Sequence, residues 1–87
     1  MQYNNQFGNI TRVVLVDLSS GDFEDDKGFF IRAGVAGNIK YLPVGNEESE
    51  AITKAFDASN VFSDPEQCKK IFASGTTATS IYVGYGV

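Results

Sequence analysis

Residues 69–85 constrain the fold of this chain more than any other stretch. An apolar run ends at Phe72, and a turn of small residues follows around Gly75. The rest of the stretch alternates on a period of two, in the order Ile81, Tyr82, Val83, Gly84 and Tyr85. Strand side chains point to opposite faces with that period, and β-branched and aromatic residues suit a pleated surface. The stretch therefore predicts a β-hairpin in a small, soluble, mostly β domain.

Three earlier runs also predict strands. Residues 11–18 give the strongest signal, and their apolarity on both faces predicts a central or sandwiched strand. Residues 28–33 and 38–44 are expected to pair as a hairpin, because the Gly and Asn residues between them tolerate positive φ. Pro43 has no N–H to donate, so the third of these strands is expected to end there or to lie at an edge.

Two further segments fit both a strand and a helix. Residues 50–56 alternate as a strand would, yet their Ala, Ile and Phe positions also form a helical stripe. Residues 63–72 satisfy the local rules for a short helix, with Asp64 as N-cap, Pro65 at the first helical position and Gly75 beyond the end. Local rules alone favour a helix in the second segment and leave the first open.

Residues 19–28 combine turn residues with four carboxylates. Calcium prefers several oxygen ligands, but the spacing here does not match an EF-hand loop. Charged runs usually lie in water. The stretch is therefore predicted to be a solvated acidic loop, with a calcium site over residues 22–26 as the alternative.

Charge and hydropathy argue against two classes of partner. The formal net charge is −4 and no run of Lys or Arg occurs, which argues against direct binding to nucleic acid. The longest apolar stretches, such as residues 13–16, are too short to span a bilayer, and the first residues lack the pattern of a signal peptide. We expect no nucleic-acid or membrane partner, and synthesis in the cytoplasm.

The residues that usually carry catalysis are sparse. The sequence has no His, which removes the commonest general base and metal ligand. It has no phosphate-binding loop with the required Lys, and its carboxylates lie on predicted turns that lack the rigid support of a catalytic site. We therefore predict a non-enzymatic protein with no cofactor and no metal. Cys68, the only cysteine, is predicted to be a small buried hydrophobe.

The 87 residues are expected to form one β domain over residues 11–87, preceded by an arm over residues 1–10 that is rich in Asn and Gln. A domain of this size has little stability to spare. Burying one face against identical copies or against a partner would stabilise it. Oligomerisation is therefore expected.

Residues 65–85 resemble the C-terminal half of a group of small virion proteins from tailed phages and gene-transfer agents. The shared order is a proline at Pro65, a basic and apolar run over residues 69–72, Ala-Ser-Gly-Thr-Thr-Ala-Thr over residues 73–79, and a last apolar strand over residues 81–85. The order of these pieces carries more weight than any one of them. The match extends back to residues 32–40, which resemble the group's strand, Gly-x-Ala-Gly turn and next strand.

The resemblance implies a fold and a role. It favours an all-β fold, a small antiparallel β-sandwich or barrel of about six or seven strands, in which residues 68–73 form a strand; the helical alternative stays open over residues 65–70. It implies a non-enzymatic virion structural protein of a tailed bacteriophage, either an auxiliary (decoration) capsid protein or a spike-base or fibre-base subunit. Such a protein is made in the host bacterial cytoplasm, resides in the virion, forms a homo-oligomer and binds capsid, spike or fibre subunits.

Contact residues are expected among aromatics that two-faced strands cannot all bury and among lysines near a strand edge. On these grounds Tyr41 is expected to be exposed, and the predicted interface residues are Tyr3, Phe7, Lys69, Lys70 and Tyr82. The alternative function is a non-viral carbohydrate- or protein-binding β module that uses exposed aromatics and calcium bound at the acidic loop.

Overall fold

The computed structural model describes residues 10–62 and 66–86. These residues form six strands: β1 (Ile10–Leu15), β2 (Phe23–Val35), β3 (Gly37–Pro43), β4 (Ile52–Phe56), β5 (Cys68–Phe72) and β6 (Thr79–Gly86). Apart from one short 3-10 helix, Glu48–Glu50, the regular structure is all strand, which confirms the predicted all-β class. Within the described residues no helix has the length and apolarity needed to cross a membrane. The predicted arm lies outside these residues except for Ile10, which begins β1.

The strands form one antiparallel sheet in the order β1-β6-β2-β5-β3-β4. The 13-residue β2 connects the two halves of this sheet. Its residues 23–29 pair with β5, and its residues 30–35 pair with β6. The pairing is irregular between Glu24 and Phe29, where Gly28 has φ +83°, a conformation that favours glycine. We call β1, β6 and residues 30–35 the first half-sheet, and residues 23–29, β5, β3 and β4 the second.

One hydrophobic core joins the two half-sheets. Its buried members come from β2, β3, β5, β6 and the turn before β6: Phe29, Ile31, Ala33, Ile39, Tyr41, Cys68, Ile71, Ala78, Ile81 and Val83. Phe29 is fully buried and meets the rings of Phe23 and Tyr85 edge-on, at centroid distances of 5.2 and 6.2 Å. Burial of Cys68 confirms its predicted role as a small core hydrophobe.

Both predicted hairpins are wrong, although the strands themselves are where the sequence placed them. In the sheet β5 lies between β2 and β3, and β2 lies between β5 and β6. The connection at Ala36 and the connection over residues 73–78 each cross from one half-sheet to the other. The two crossings lie side by side, because the N–H groups of Thr77 and Ala78 both donate to the Asn38 carbonyl, at 2.8 and 3.1 Å.

The prediction of a central position for β1 is also wrong. In the part of the chain that the structure describes, β1 pairs only with β6 and forms one edge of the sheet. Its inner side chain Val14 packs against the core. Its outer side chains Val13 and Leu15 stay 48% and 59% exposed. The apolarity on both faces of this strand therefore reflects one buried and one open face.

The predicted acidic loop is largely a strand, since β2 begins at Phe23. Its charges are paired across the sheet with Lys70, the register partner of Glu24. The Lys70 Nζ lies 3.4 Å from Glu24, 3.8 Å from Asp22 and 3.2 Å from Glu48. Glu24 can occupy a strand because a cation on the neighbouring strand offsets its charge.

The two ambiguous segments resolve as strands. Residues 52–56 form β4, which pairs with β3 from Gly37 to Tyr41. Residues 68–72 form β5, so the helical alternative is wrong there. The proposed helix start at Asp64 and Pro65 lies outside the described residues. Tertiary pairing overrides local helix signals here, because β5 is flanked on both sides by strands that supply its hydrogen bonds.

Candidate interaction surface

The first half-sheet has one face on the core and one face turned outward. Strand alternation and register place three pairs of side chains on the outward side, which we call the outer face: Val13 and Leu15 of β1, Tyr82 and Gly84 of β6, and Phe30 and Arg32 of β2. Gly84 permits the chain after β4 to approach closely, because a Cβ at this position would lie 2.9 Å from the Phe62 ring. Phe62 therefore covers part of the outer face.

Arg32 of β2 lies on the outer face between two aromatic rings. Its guanidinium carbon lies 4.3 Å from the Tyr82 ring centroid and 5.2 Å from that of Phe62, within the range of a cation–π interaction. Its Nη1 donates to the Ser59 carbonyl at 3.4 Å, whereas its buried Nε has no hydrogen-bond partner among residues 10–62 and 66–86. Stacking, more than hydrogen bonding, thus fixes the orientation of this cation.

The outer face continues into an open cleft beside β2. The cleft has a volume of about 420 Å³ and is lined by Arg32, Phe56, Ser59 and Val61, among others. Val61 is 58% exposed. Exposed aliphatic groups thus lie on both sides of the stacked arginine. A surface of aliphatic and aromatic groups around an arginine has the composition found at the centre of protein interfaces.

The register of β1 determines which backbone groups face the open edge. The Val16 N–H donates to the Ile81 carbonyl at 2.8 Å, and hydrogen-bonded pairs alternate along an antiparallel ladder. Val14 is therefore also hydrogen-bonded to β6, whereas Val13 and Leu15 direct their N–H and C=O groups away from it. The two residues with exposed side chains are also the two that present backbone donors and acceptors at the edge.

A polar contact closes the inner side of the same edge. The Tyr85 hydroxyl donates to Asp25 Oδ2 at 2.7 Å, and the Arg12 guanidinium lies 5.0 Å above the Tyr85 ring. The Lys27 N–H, followed by the Tyr85 hydroxyl, lowers the pKa of Asp25. Burial, followed by the hydrogen bond to Asp25, raises the pKa of Tyr85 from 10.0 to about 12.

The Tyr85 contact should be visible in alkaline titration. A raised pKa in the folded state adds stability that is fully present below about pH 10 and is lost as the pH rises towards 12. We expect Tyr85→Phe to flatten the dependence of the unfolding midpoint on pH in this window. The difference in tyrosinate absorbance between wild type and Tyr85→Phe should titrate near pH 12. A difference titration centred at 10 would show that the buried contact with Asp25 does not form.

The predicted interface residues do not form one cluster. Tyr82 lies on the outer face, whereas Lys70 is held by carboxylates of β2 and of the 3-10 helix, and Lys69 is half-buried on β5. Tyr3 and Phe7 lie outside the described residues. The expected exposure of Tyr41 is wrong: the residue is 1% exposed, and its hydroxyl donates to Glu66 Oε1.

Sequence reasoning missed the residues that dominate the outer face, namely Val13, Leu15, Arg32 and Phe62. The available signal was the apolarity of residues 11–18 on both faces, which indicated either a sandwiched strand or an open apolar face.

The carboxylates of the predicted calcium site are engaged with the protein itself. Asp22 Oδ1 accepts the Ala73 N–H at 2.8 Å, and Asp25 accepts both the Lys27 N–H and the Tyr85 hydroxyl. Among residues 10–62 and 66–86, no group of three or more ligating side chains is arranged to hold a metal. The acidic stretch thus contributes strand pairing, a hydrogen bond to the connection after β5 and a hydrogen bond to β6.

Comparison with known proteins gives no family and no relative from which a function could be inferred. A scan against protein-family models finds no match, and neither do searches of curated proteins and of solved structures. The outer face, with the open edge of β1 beside it, is therefore the candidate functional site on the grounds of geometry and composition.

Proposed function

We propose that this protein is a non-enzymatic virion structural protein of a tailed bacteriophage or gene-transfer agent, which acts by binding other subunits. In the particle it would be either a decoration protein on the capsid surface or a subunit at the base of a spike or fibre. The observation that carries the binding role is the coincidence of exposed apolar side chains and outward backbone groups at Val13 and Leu15.

An open edge beside an apolar face is unusual in a protein that acts alone. Natural edge strands are commonly blocked by charge, proline or a covering loop, because an open edge invites pairing with another chain. β1 has no proline, and Arg12, its one charged residue, lies over the Tyr85 ring. Exposed apolar patches rimmed by polar groups usually mark interaction sites. These features support a subunit that is completed by contact with another chain.

The stacked arginine supports the same role. Binding normally costs side-chain entropy when a long side chain becomes ordered in the interface. Tyr82 and Phe62 already order Arg32, so a partner would meet a cation whose orientation is fixed. Arg and Tyr are also enriched among the residues that dominate interface energies.

The virion assignment is supported by the resemblance of residues 65–85 and 32–40 to small phage and gene-transfer-agent proteins. The described parts of these segments contain β5 and most of β3 and β6. They also contain the two connections that cross between the half-sheets, at residue 36 and over residues 73–78. The resemblance thus falls on elements that organise the core and also includes Arg32, Tyr82 and Gly84 of the outer face. Val13 and Leu15 of β1 lie outside it.

Binding to particles tests this proposal. Purified chain, mixed with particles that lack it, should co-sediment with them and saturate at a fixed copy number per particle. We expect the double variant Val13→Lys, Leu15→Lys to lose at least tenfold in affinity, because it places two charges on the outer face. Val44→Lys, at a residue that is 42% exposed outside this face, is the matched control and should bind as wild type does.

Failure of the wild-type chain to sediment with any particle of the source phage or agent would refute the virion role. Binding that never saturates would refute it equally, because a structural subunit occupies a fixed set of positions.

A further inference from the structure

We infer that the open edge of β1 pairs with β1 of a second copy of this chain, antiparallel and across a two-fold axis at Val14, so that two six-stranded sheets join into one. This inference rests on the proposed subunit-binding function and specifies its first partner. The hydrogen-bonding groups and side chains that β1 presents at this edge are complementary to those of a second β1.

The two edges of the sheet differ in how well they are protected. β4, at the other edge, has five residues and carries Lys54 at its centre. A lysine in that position is a common device against edge pairing. β1 presents Val13 and Leu15 instead, with Arg12 turned to the inner side over Tyr85. Edge-to-edge association is therefore directed to β1.

Identical strands that pair antiparallel are related by a two-fold axis, and each supplies the donors and acceptors that the other needs. Only residues with outward backbone groups can form the hydrogen-bonded pairs. An axis at Val14 places Val13 opposite Leu15 of the second copy, and Leu15 opposite Val13 of the second copy. Each of these two pairs exchanges two hydrogen bonds and brings two aliphatic side chains together on the outer face.

Neighbouring registers pair fewer aliphatic side chains. An axis at Val13 would set Leu15 against Thr11, and an axis at Leu15 would set Val13 against Asp17, so each loses an aliphatic pair. The axis at Val14 also places no two like charges opposite each other, because Arg12 then faces Val16 of the second copy. The register is thus set by side-chain pairing as well as by backbone groups.

Cysteine crosslinking tests this register. In a Cys68→Ala background, Val14→Cys should form an intermolecular disulfide under mild oxidation, because the Cα atoms of a non-hydrogen-bonded cross-strand pair lie about 4.5 Å apart. Val13→Cys and Leu15→Cys are more exposed, yet each alone should crosslink at least tenfold more slowly, since their diagonal Cα separation across the axis would be about 7–8 Å. Faster crosslinking at 13 or 15 would overturn the proposed register.

Solution mass tests the pairing itself. Light scattering behind size exclusion should give twice the chain mass of 9.4 kDa. Val13→Pro should give a monomer that remains folded, because its lost N–H points to the open edge and a proline is tolerated there. Leu15→Lys should weaken the dimer at least tenfold, whereas Val44→Lys should leave it intact. A wild-type monomer at every concentration, or a dimer that both β1 variants retain, would overturn the inference.

The two proposals fail separately. A monomer that still saturates particles would remove the β1 pairing and leave the virion role standing. A dimer that binds no particle would leave the pairing standing and remove the virion role.

Discussion

Replacing Phe29 by Ala is expected to lower the free energy of unfolding of this protein by about 3–5 kcal/mol. The ring is fully buried, lies where β2 passes from one half-sheet to the other, and meets Phe23 and Tyr85 edge-on. Truncating a buried Phe to Ala typically costs about 3–5 kcal/mol. A domain of 87 residues has a total stability of about 4–13 kcal/mol. The loss therefore removes at least about a quarter of the free energy of unfolding, and nearly all of it if the total lies at the low end of this range.

Urea denaturation followed by circular dichroism measures this loss. The control is Val44→Ala, a truncation at a residue that is 42% exposed, which should change the free energy of unfolding by less than about 0.5 kcal/mol. A cost below about 1 kcal/mol for Phe29→Ala would mean that the core is not organised around β2.

Gly37→Ala is expected to cost about 1–3 kcal/mol, the usual range for overpacking. A Cβ at Gly37 would lie 2.6 Å from the Ala78 nitrogen and 2.7 Å from its Cα. Both atoms are backbone, and the Ala78 N–H is already held by the Asn38 carbonyl at 3.1 Å. The added methyl group can therefore be accommodated only by separating the two connections that cross between the half-sheets.

Thermal unfolding monitors this separation, with Gly45→Ala as the matched control. Apart from its two chain neighbours, no described residue places an atom within 4 Å of the position of a Cβ at Gly45, so the same chemical change should be neutral or slightly stabilising there. Equal melting temperatures for the two variants would contradict the close approach of residues 37 and 78.

Strand positions could be predicted from the sequence because they depend on local alternation. The runs over residues 28–33, 38–44 and 81–85 each lie within an observed strand or overlap one closely. Strand order could not be predicted in the same way. The Gly and Asn residues after Ala33 signalled a reversal, but a connection that crosses between half-sheets needs the same small residues as a tight hairpin.

The acidic start of β2 and the outer face were missed for a different reason. Glu24 looked like a loop residue because its cation, Lys70, lies 46 positions away in the sequence and only the tertiary register brings the two together. The apolar outer side of β1 was predicted to be buried because the sequence pattern shows which side chains are apolar. It does not show whether another part of the protein packs over them. The stacking of Arg32 could not be predicted from the sequence, since it depends on the rings of Tyr82 and Phe62, which only the fold brings beside it.

The sheet order has a consequence for biosynthesis. Among the described strands only β3 and β4 are neighbours both in sequence and in the sheet. β6, the last of the six described strands in chain order, fills the position between β1 and β2 and completes the core with Ile81 and Val83. Such non-local pairing slows folding. Nearly all of residues 10–86 must therefore have been synthesised before the sheet can form, and until then β1, the most apolar of the six strands, has no β6 to pair with.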